Sequence, residues 1–370
     1  MKQEKLKILV GMSGGVDSSV AAALLKYQGY DVTGLFMRMH KGEGVEKDLA
    51  DVINVCEKLG IPLQTVDVRR KFQKEVVKYF LSEYAAARTP NPCVFCNKNF
   101  KFKILLEEAK KIKADYVATG HYARITKIQE TITKQNPKSK IPNYKLKTAK
   151  DKSKDQSYFL YRLGQEELAM IIFPLGEYEK TEVKKLAKKL GLEVSEKKES
   201  QDVCFMAGLT KEAFLKRNLK LEKGKIVDVQ GEIIGEHSGL PLYTLGQRKG
   251  IHIGGTGPYY VVDKDFKQNR LVVTNDKKAA ALFSTTINLE DVNWTFGAAP
   301  KLPVRVLMRS RYRNPLVYAT IKSQISTNKK SANSYEYSVK FEKPEKAAAS
   351  GQSVVFYTKA GEVIGGGIIK

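Results

Sequence analysis

The sequence predicts an α/β fold: a doubly wound parallel sheet, followed by a small, mostly β central domain and a C-terminal β-barrel. Three observations support this. Apolar runs alternate with helical patterns over roughly the first 120 residues, a glycine-rich turn follows the first apolar run, and short β runs separated by glycine and proline begin near residue 224. Such alternation is typical of a parallel sheet covered by helices on both faces.

The elements of the first domain follow in order along the first half of the chain. Ligands of an open parallel sheet bind at the carboxyl ends of its strands, and residues 11–19, Met37 and Gly120 lie at such ends. Residues 125–148 are predicted to form a β-hairpin with a lysine-rich tip. The predicted strands are 6–10, 31–37, 63–68 and 116–119, and the predicted helices are Val16–Tyr27, 45–59, 71–87, 97–112, 155–163 and 179–190.

The second half of the chain is predicted to be mostly β. Five longer β runs near the C-terminus, separated by turns, are typical of a small barrel. We therefore expect three domains: a catalytic domain at 1–205, a small central domain at 206–278 and the barrel at 279–370. The predicted strands are 225–229, 232–234, 259–262 and 270–273 in the central domain, and 304–308, 316–321, 335–341, 353–357 and 363–369 in the barrel.

Charge is the second guide to function. The 370 residues include 64 Lys and Arg against 40 Asp and Glu, a net charge of +24. A polyanionic partner such as a nucleic acid is one explanation, because neutralised phosphates release counterions. A solvated lysine-rich surface is the other. No apolar run approaches the roughly 20 residues of a membrane span, and residues 1–7 are unlike a targeting peptide, so we expect a cytoplasmic protein without a membrane partner.

Residues 11–19, Gly-Met-Ser-Gly-Gly-Val-Asp-Ser-Ser, form the most informative motif. A strand, a glycine-rich turn and a helix start bind phosphate well, because backbone N–H groups and the helix dipole face the anion. Gly14 and Gly15 permit close approach of a ligand, and Asp17 is placed to cap the helix or to hold a cation. No Gly-Lys-Ser/Thr follows, so this is not a Walker P-loop. The alternative is an ordinary glycine turn.

The chain has four cysteines, too few for a disulfide scaffold. Cys56 falls on an apolar helical face, and we expect it in the core. Cys93 and Cys96 lie in the segment Arg-Thr-Pro-Asn-Pro-Cys-Val-Phe-Cys-Asn. We expect Cys96 directly before a helix at residue 97, where the helix N-terminus and nearby lysines would favour its thiolate. Those lysines are Lys98, Lys101 and Lys103.

Several kinds of site remain open for the cysteine pair. Zinc would need more ligands, and the four histidines form no second paired motif. A thioredoxin-type dithiol would stand in a domain without a nucleotide loop. An iron–sulfur cluster on Cys93, Cys96 and Cys204 is a further alternative, though not the favoured one. Cys204 lies 108 positions after Cys96, so only folding could bring the two together.

Eight segments, taken together, resemble one family from end to end. They are GMSGGVDSS, RTPNPCVFCNKNFKF, ATGHYAR, KDQSYFL, SQDVCF, LGQRKGI, RSRYRN and GQSVVFY, and they occur in the order seen in the bacterial tRNA-specific 2-thiouridylases. The first is similar to the pyrophosphate loop of enzymes that split ATP between its α and β phosphates. The resemblance implies a pyrophosphate-loop catalytic domain, a small central domain and a C-terminal barrel.

The resemblance also implies a reaction and its partners. ATP, with Mg²⁺, would adenylate the 2-oxygen of the tRNA wobble uridine, and sulfur from a Cys204 persulfide would replace it, directly or after attack by the nucleophile Cys96. Expected partners are the tRNAs for Lys, Glu and Gln and a sulfur relay protein or cysteine desulfurase. The implied ATP site is Gly11, Met12, Ser13, Gly14, Gly15, Val16, Asp17, Ser18, Met37 and Gly120, and the implied tRNA contacts are Asn91, Pro92, Cys93, Lys154, Asp155, Gln156, Arg311 and Tyr312.

One position departs from the family. Many members carry Asp where this chain has Cys93, so the proton acceptor proposed for that Asp does not carry over. His121, after the strand end at Gly120, is either a helper in proton transfer or a structural histidine. Two other functions remain: another pyrophosphate-loop ATP pyrophosphatase, which would leave the cysteines without a role, and an RNA-binding protein that does not catalyse.

Overall fold

The computed structural model describes residues 5–128, 144–197, 203–206, 208–251, 253–254, 257–325, 335–346 and 348–370. The strands of its first domain are β1 (Lys7–Met12), β2 (Asp31–Arg38), β3 (Leu63–Asp67), β4 (Tyr116–Thr119), β5 (Ala123–Lys127), β6 (Tyr144–Thr148) and β7 (Ile171–Ile172). Five of these form a parallel sheet in the order β3-β2-β1-β4-β7, which confirms the predicted α/β fold. β7 has only two residues and was missed.

Helices cover both faces of the sheet. A π turn of five residues lies in each of two long helical stretches, between α3 and α4 (Gln73–Val77) and between α5 and α6 (Asn97–Lys101). The helices of this domain are α1 (Val16–Tyr27), α2 (Glu43–Leu59), α3 (Arg69–Phe72), α4 (Lys78–Ala85), α5 (Pro92–Cys96), α6 (Phe102–Lys111), α7 (Gln165–Met170) and α8 (Lys180–Lys189).

Local sequence explains the first helix well. α1 contains three consecutive alanines, good helix formers, and they pack with no exposed surface against the sheet. Cys56 on α2 is 3% exposed in the same core, as expected, and burial raises the pKa of its thiol to about 11.

Two predicted helices of this domain need correction. The helix predicted at 97–112 begins earlier, at Pro92, with Asn91 as its N-cap. Residues 155–163 contain only a 3₁₀ turn at Ser157–Phe159, because the buried carboxylate of Asp155 accepts the backbone N–H groups of Ala149 and Ser157. The predicted hairpin is present as β5 paired with β6, while its lysine-rich tip lies outside the described residues.

The central domain combines one helix with a four-stranded sheet, close to expectation. The sheet has the order β10-β11-β8-β9, and β8 and β11 run parallel although most neighbours are antiparallel. These elements are α9 (Lys211–Asn218), β8 (Gly224–Val227), β9 (Ile233–His237), β10 (Tyr260–Asp265) and β11 (Arg270–Thr274).

The C-terminal domain is a closed barrel of six strands, so the predicted count of five was wrong. The missed strand is β12, whose outward residues include Thr, Asn, Glu and Asp, while Ile287, Leu289 and Trp294 point into the core. The strands are β12 (Phe283–Trp294), β13 (Val304–Arg309), β14 (Val317–Ile325), β15 (Tyr335–Lys346), β16 (Ser353–Tyr357) and β17 (Val363–Ile369). Within the described ranges, no helix has the length and apolar character needed to cross a bilayer.

Candidate active site

The glycine-rich turn connects β1 directly to α1. Ser18 Oγ accepts the backbone N–H of Ser13 at 3.1 Å and donates to the Gly15 carbonyl at 3.2 Å, which closes the turn. Gly14 has φ +71°, and a Cβ there would lie 2.5 Å from the carbonyl oxygen of Asp48. Only glycine fits this position without displacing backbone.

The other predicted nucleotide residues lie at the same edge of the sheet. Gly120 follows β4, and a Cβ on it would come within 2.6 Å of the backbone of Asp17 and Ser18. Met37 is the second-last residue of β2, the neighbour of β1, and is 8% exposed. The predicted residues of the ATP site therefore come together, and their binding of ATP stays a prediction.

Two lysines that sequence reasoning missed hold this loop. Lys180 Nζ is 2.6 Å from Asp17 Oδ1, which also accepts the Tyr122 hydroxyl at 2.8 Å. The Asp17 side chain does not cap α1. It pairs instead with the Lys180 ammonium. No local pattern reveals this pairing, because the partners are 163 residues apart.

Lys197 joins the loop to α2. Its Nζ donates to the Gly14 carbonyl at 2.9 Å, to Asp48 Oδ1 at 2.7 Å and to Asp51 Oδ2 at 2.5 Å. Burial alone would lower the pKa of Lys197, but the hydrogen bonds with the two carboxylates outweigh it and raise that pKa. The lysine therefore stays charged and ties the turn to the neighbouring helix.

The cysteine pair lies on α5, not before a helix. Asn91 Oδ1 accepts the N–H of Val94 at 3.3 Å, and Pro92 occupies the first turn. Both features are standard helix starts. Cys96 thus ends α5 and cannot benefit from a helix N-terminus, which corrects the predicted location. Cys93 is exposed and Cys96 is 8% exposed.

The π turn after α5 places Lys101 beside the thiols. In a π turn residues five apart are bonded and lie on one face, and Lys101 follows Cys96 by five. The Lys101 ammonium lowers the pKa of Cys93, Cys96 and Cys204 alike. Among the lysines expected to act there, Lys98 instead pairs with Glu167.

The expectation that Cys96 is a thiolate is wrong for the free protein. Desolvation is the largest effect on all three thiols and raises each pKa, that of Cys96 to about 12, in spite of Lys101. This holds although the side chains of Cys93 and Cys204 keep solvent exposure. Each thiol is therefore protonated at neutral pH until a substrate or sulfur donor changes its surroundings.

Folding does bring Cys204 to the cysteine pair. It begins a 3₁₀ turn (Cys204–Met206), and Phe205 packs edge-on against Phe80 with ring centroids 5.2 Å apart. Phe72 packs against both Phe205 and Phe100, so the Cys204 turn and the helix that carries the cysteine pair share one core cluster. Cys204 accordingly raises the pKa of Cys93 and Cys96 slightly. All are free thiols. In the part of the chain that the structure describes, no three His, Cys, Asp or Glu side chains are arranged to hold a metal ion.

His121 links the thiol site to the glycine-rich turn. It follows Gly120, its Nδ1 is 2.8 Å from Thr119 Oγ1, and its ring packs near Phe102 at a centroid distance of 5.8 Å. Burial, then the charge of Lys101, lowers its pKa to about 3. A neutral, packed ring fits the structural role among the two that were expected.

The predicted RNA contacts divide into surface and structural residues. Arg311 is exposed, and the Tyr312 ring packs on Phe159 with centroids 4.4 Å apart. Asp155 is 2% exposed, and Gln156 Oε1 accepts the N–H of Tyr122 at 3.0 Å. These last two hold the chain after β4, and their contact with RNA, like that of Lys154, stays a prediction.

A cationic cavity lies beside these residues, between the first domain and the barrel. Its volume is about 240 Å³. Three of its lining side chains are cationic and one is a carboxylate, and the carboxylate of Asp155 is 3.8 Å from Arg309 Nη1. A cavity of this charge suits a phosphate group. It is lined by Lys152, Ser153, Asp155, Arg309, Tyr312 and Arg313.

Fold and site together define a HUP-domain protein with a glycine-rich nucleotide loop, a thiol cluster and two following β domains. The family models that match are described as tRNA methyl transferase HUP domain (residues 6–208), tRNA methyl transferase PRC-barrel domain (212–275) and Aminomethyltransferase beta-barrel domain (284–369). The chain belongs to the tRNA-specific 2-thiouridylase (MnmA) family, which confirms the resemblance.

Two curated relatives show how complete the likeness is. The chain is 41% identical to tRNA-specific 2-thiouridylase MnmA 2 of Geobacillus kaustophilus, covering 98% of this chain and 94% of the relative. It is 43% identical to tRNA-specific 2-thiouridylase MnmA of Salmonella typhimurium, covering 100% and 98%. Among solved structures, the U34-tRNA thiolase NcsA of Methanococcus maripaludis matches at 22% identity and a TM-score of 0.35, over 55% of this chain and 62% of that one.

Proposed function

We propose that this protein is an ATP-dependent sulfurtransferase that makes 2-thiouridine at the wobble position of tRNA. The observation that carries the proposal is the shared edge of the sheet, where residues 119–121 contact α1 on one side and Phe102 on the other. Lys101 acts electrostatically both on His121 at this strand end and on the three thiols, which supports placing the thiols near the nucleotide loop. The names of the curated relatives support the same activity.

Activation comes first. The 2-oxygen of uridine is a poor leaving group, so its adenylation by ATP, with release of pyrophosphate, converts it to one that departs as AMP. The N-terminus of α1 would bind the phosphates, while the Ser13–Ser18 hydrogen bond and the close contact of Gly14 with Asp48 keep the turn in its shape. Mg²⁺ bound with ATP would neutralise phosphate charge, and Asp17, the carboxylate of the loop, would help to hold it by exchanging its present partner, the Lys180 ammonium.

Sulfur transfer follows at the thiol site. A Cys204 persulfide either delivers its outer sulfur to C2 of the uridine, or is attacked by the Cys96 thiolate. In the first route AMP leaves as the outer sulfur bonds to C2, and the Cys96 thiolate then attacks the Cys204 sulfur, which breaks the S–S bond and leaves the outer sulfur on C2. In the second route the attack by Cys96 comes first and releases hydrosulfide, which then attacks C2 and displaces AMP. Both routes leave a Cys96–Cys204 disulfide, which an external thiol reductant reopens. Either attack needs an anionic sulfur, and Lys101 is the cation beside all three thiols.

The proposal gives Cys93 no role as the base that replaces the missing carboxylate. Desolvation raises its pKa, so at neutral pH the free protein holds a neutral thiol there. The three thiols also do not form a metal-binding group among the described residues, and no step is derived through an iron–sulfur cluster. Anaerobic purification with iron and sulfide analysis tests that alternative: bound iron required for activity would establish it.

RNA recognition is assigned to the exposed face near Arg311 and the cationic cavity. The net charge of +24 supports a polyanionic substrate. Asn91 and Pro92, at the start of α5, would lie against a wobble base turned out of the anticodon stack. The tRNAs for Lys, Glu and Gln are the proposed substrates, and a persulfide-carrying relay protein or desulfurase is the proposed sulfur donor.

The test is mass analysis of tRNA nucleosides after reaction with ATP and a persulfide donor. Wild-type protein should form 2-thiouridine, while Cys96→Ser and Cys204→Ser should form none and still bind tRNA. Cys56→Ala is the matched control, because Cys56 lies in a separate core cluster, and it should keep its activity. Normal 2-thiouridine formation by either serine variant would contradict the assignment of these thiols.

A further inference from the structure

Residues 87–89 contact both of the other domains. They lie shortly before α5, the helix that carries Cys93 and Cys96 and is here called the cysteine helix. Thr89 is 7% exposed, and its polar groups bond to the two other domains. Its N–H donates to the Ser350 carbonyl at 2.8 Å and its carbonyl accepts Gln352 Nε2 at 2.6 Å, both in the barrel domain. Its hydroxyl donates to Thr244 Oγ1 of the central domain at 3.3 Å.

A lysine of the central domain holds the same segment two residues earlier. Lys264 Nζ donates to the Ala87 carbonyl at 2.6 Å and to the Tyr243 carbonyl at 3.0 Å. Ala87 has φ +68°, a left-handed conformation that is unfavourable for alanine. Such a conformation persists where surrounding contacts hold it, and Lys264 supplies one of them.

The barrel backbone packs closely against the Thr89 backbone. Gly351 has φ +86°, and a Cβ on it would lie 2.9 Å from the Thr89 nitrogen. The next residue back, Arg88, pairs with Glu83 of α4 at 2.8 Å and also with Glu290 of the barrel. Residues 87–89 therefore bond to both other domains within three consecutive positions.

Little conformational freedom separates Thr89 from the thiols. Pro90 and Pro92 each fix a φ angle, and α5 begins at Pro92 with only five residues. A shift of the Thr89 backbone is therefore passed to Cys93 and Cys96 rather than absorbed between them.

We propose that the contacts of Thr244, Lys264, Ser350 and Gln352 with residues 87–89, here called the Thr89 clamp, position the cysteine helix for sulfur transfer. The central domain and the barrel would then act in catalysis by setting where Cys93 and Cys96 lie relative to Cys204 and the nucleotide loop. This inference rests on the proposed thiolation activity. Displacement of a reacting group by about 1 Å is enough to slow a reaction by about 100-fold.

Gln352→Ala is the sharpest variant, because it removes a donor to the Thr89 carbonyl. Its matched control is Gln165→Ala, since Gln165 Nε2 also bonds across a domain boundary, to the Thr295 carbonyl at 2.8 Å, and the side chain bonds to Tyr144 and Thr295 rather than to residues 87–89. For Gln352→Ala we expect kcat to fall at least about tenfold with KM for ATP and tRNA within about twofold of wild type. Gln165→Ala should keep kcat within about twofold.

The kinetic outcomes are separable. Wild-type kcat in Gln352→Ala, or an equal fall in both variants, would overturn the positioning role. Absence of 2-thiouridine with wild-type protein would instead contradict the proposed function. Lys264→Met tests the same role from the central domain and should also lower kcat. Lys264→Arg keeps a charged donor and should have a kcat near that of wild type.

Alkylation of the thiols by iodoacetamide gives a readout that needs no activity. Cys96 and Cys56 are both buried, at 8% and 3% exposure, but they belong to different core clusters. In Gln352→Ala we expect Cys96 to react several-fold faster while Cys56 keeps its wild-type rate. Acceleration of both cysteines would indicate general destabilisation, and acceleration of neither would show that the clamp does not hold the helix; both results overturn the proposal.

Discussion

The nucleotide loop and the thiol cluster belong to the same domain, yet they are built in different ways. The loop uses consecutive residues of a single strand–turn–helix, closed by its own Ser18 hydroxyl. The thiol cluster combines α5 with a turn 108 residues later, and two further domains hold the segment before α5. A phosphate-binding turn needs only local geometry, whereas a sulfur-transfer site needs several elements to be placed relative to one another.

Gly120→Ala should have the largest effect, because it disturbs the nucleotide loop directly. The added Cβ would lie 2.6 Å from backbone atoms at the start of α1, where nothing flexible can yield. We expect ATP-dependent AMP formation to fall by about 100-fold or more, measured by nucleotide chromatography. Gly44→Ala is the control, since its Cβ meets nothing within 4 Å. Near-normal AMP formation by Gly120→Ala would mean that the loop tolerates displacement.

Lys101→Met should act mainly on the thiol cluster, and more weakly on the buried His121. Without the ammonium the pKa of each neighbouring thiol rises further, so a smaller thiolate fraction exists at any pH below that pKa. We expect about tenfold slower alkylation of Cys96 and Cys204 at pH 8, with the whole pH profile moved to higher pH. Mass spectrometry of the modified peptides measures this, with the exposed Lys103→Met as control. Equal rates in both variants would remove Lys101 from the site.

Lys197→Met tests how the loop depends on a distant part of the chain. The variant leaves Asp48 and Asp51 without their cation and frees the Gly14 carbonyl, so we expect a loss of about 1–2 kcal/mol in urea unfolding. The folded pKa of Lys197 lies above the ordinary 10.5, so its contribution is complete below pH 10.5 and is lost as pH rises through the folded pKa. A stability difference that already disappears near pH 7 would contradict this.

Arg311→Ala should have the smallest effect, confined to RNA binding. We expect tRNA affinity to weaken several-fold and the slope of log K against log salt to decrease by about 1, while Cys96 alkylation in the free protein stays unchanged. Arg305→Ala on the same barrel is the control, because Arg305 is paired with Glu342 at 2.6 Å. Fluorescence titration at several salt concentrations measures both. An equal salt slope for the two variants would move the RNA surface elsewhere.

Sequence reasoning succeeded mostly where residues close together in the chain decide the structure, and it failed mostly where distant residues decide it. The bounds of α1 were predicted correctly because glycines precede it and alanines fill it. The start of α5 was missed although Asn91 and Pro92 signal it locally. β12 was missed because its outward residues are polar and only pairing with β15 and β17 makes it a strand. The predicted thiolate at Cys96 was wrong, because burial raises the pKa of Cys96 more than the nearby Lys101 lowers it.

By itself the sequence determined the α/β class, the nucleotide loop, the cysteines and, through motifs along the whole chain, the family. These depend on residues close together in the chain, where glycine conformation, helix starts and apolar periodicity act. Only the tertiary structure decided that Lys101 lowers the pKa of three thiols, that Lys180 and Lys197 bond to the loop, and that Thr89 is hydrogen-bonded to two other domains. The reason is that burial, ion pairs and domain contacts join residues whose separation in the chain carries no information about their distance in space.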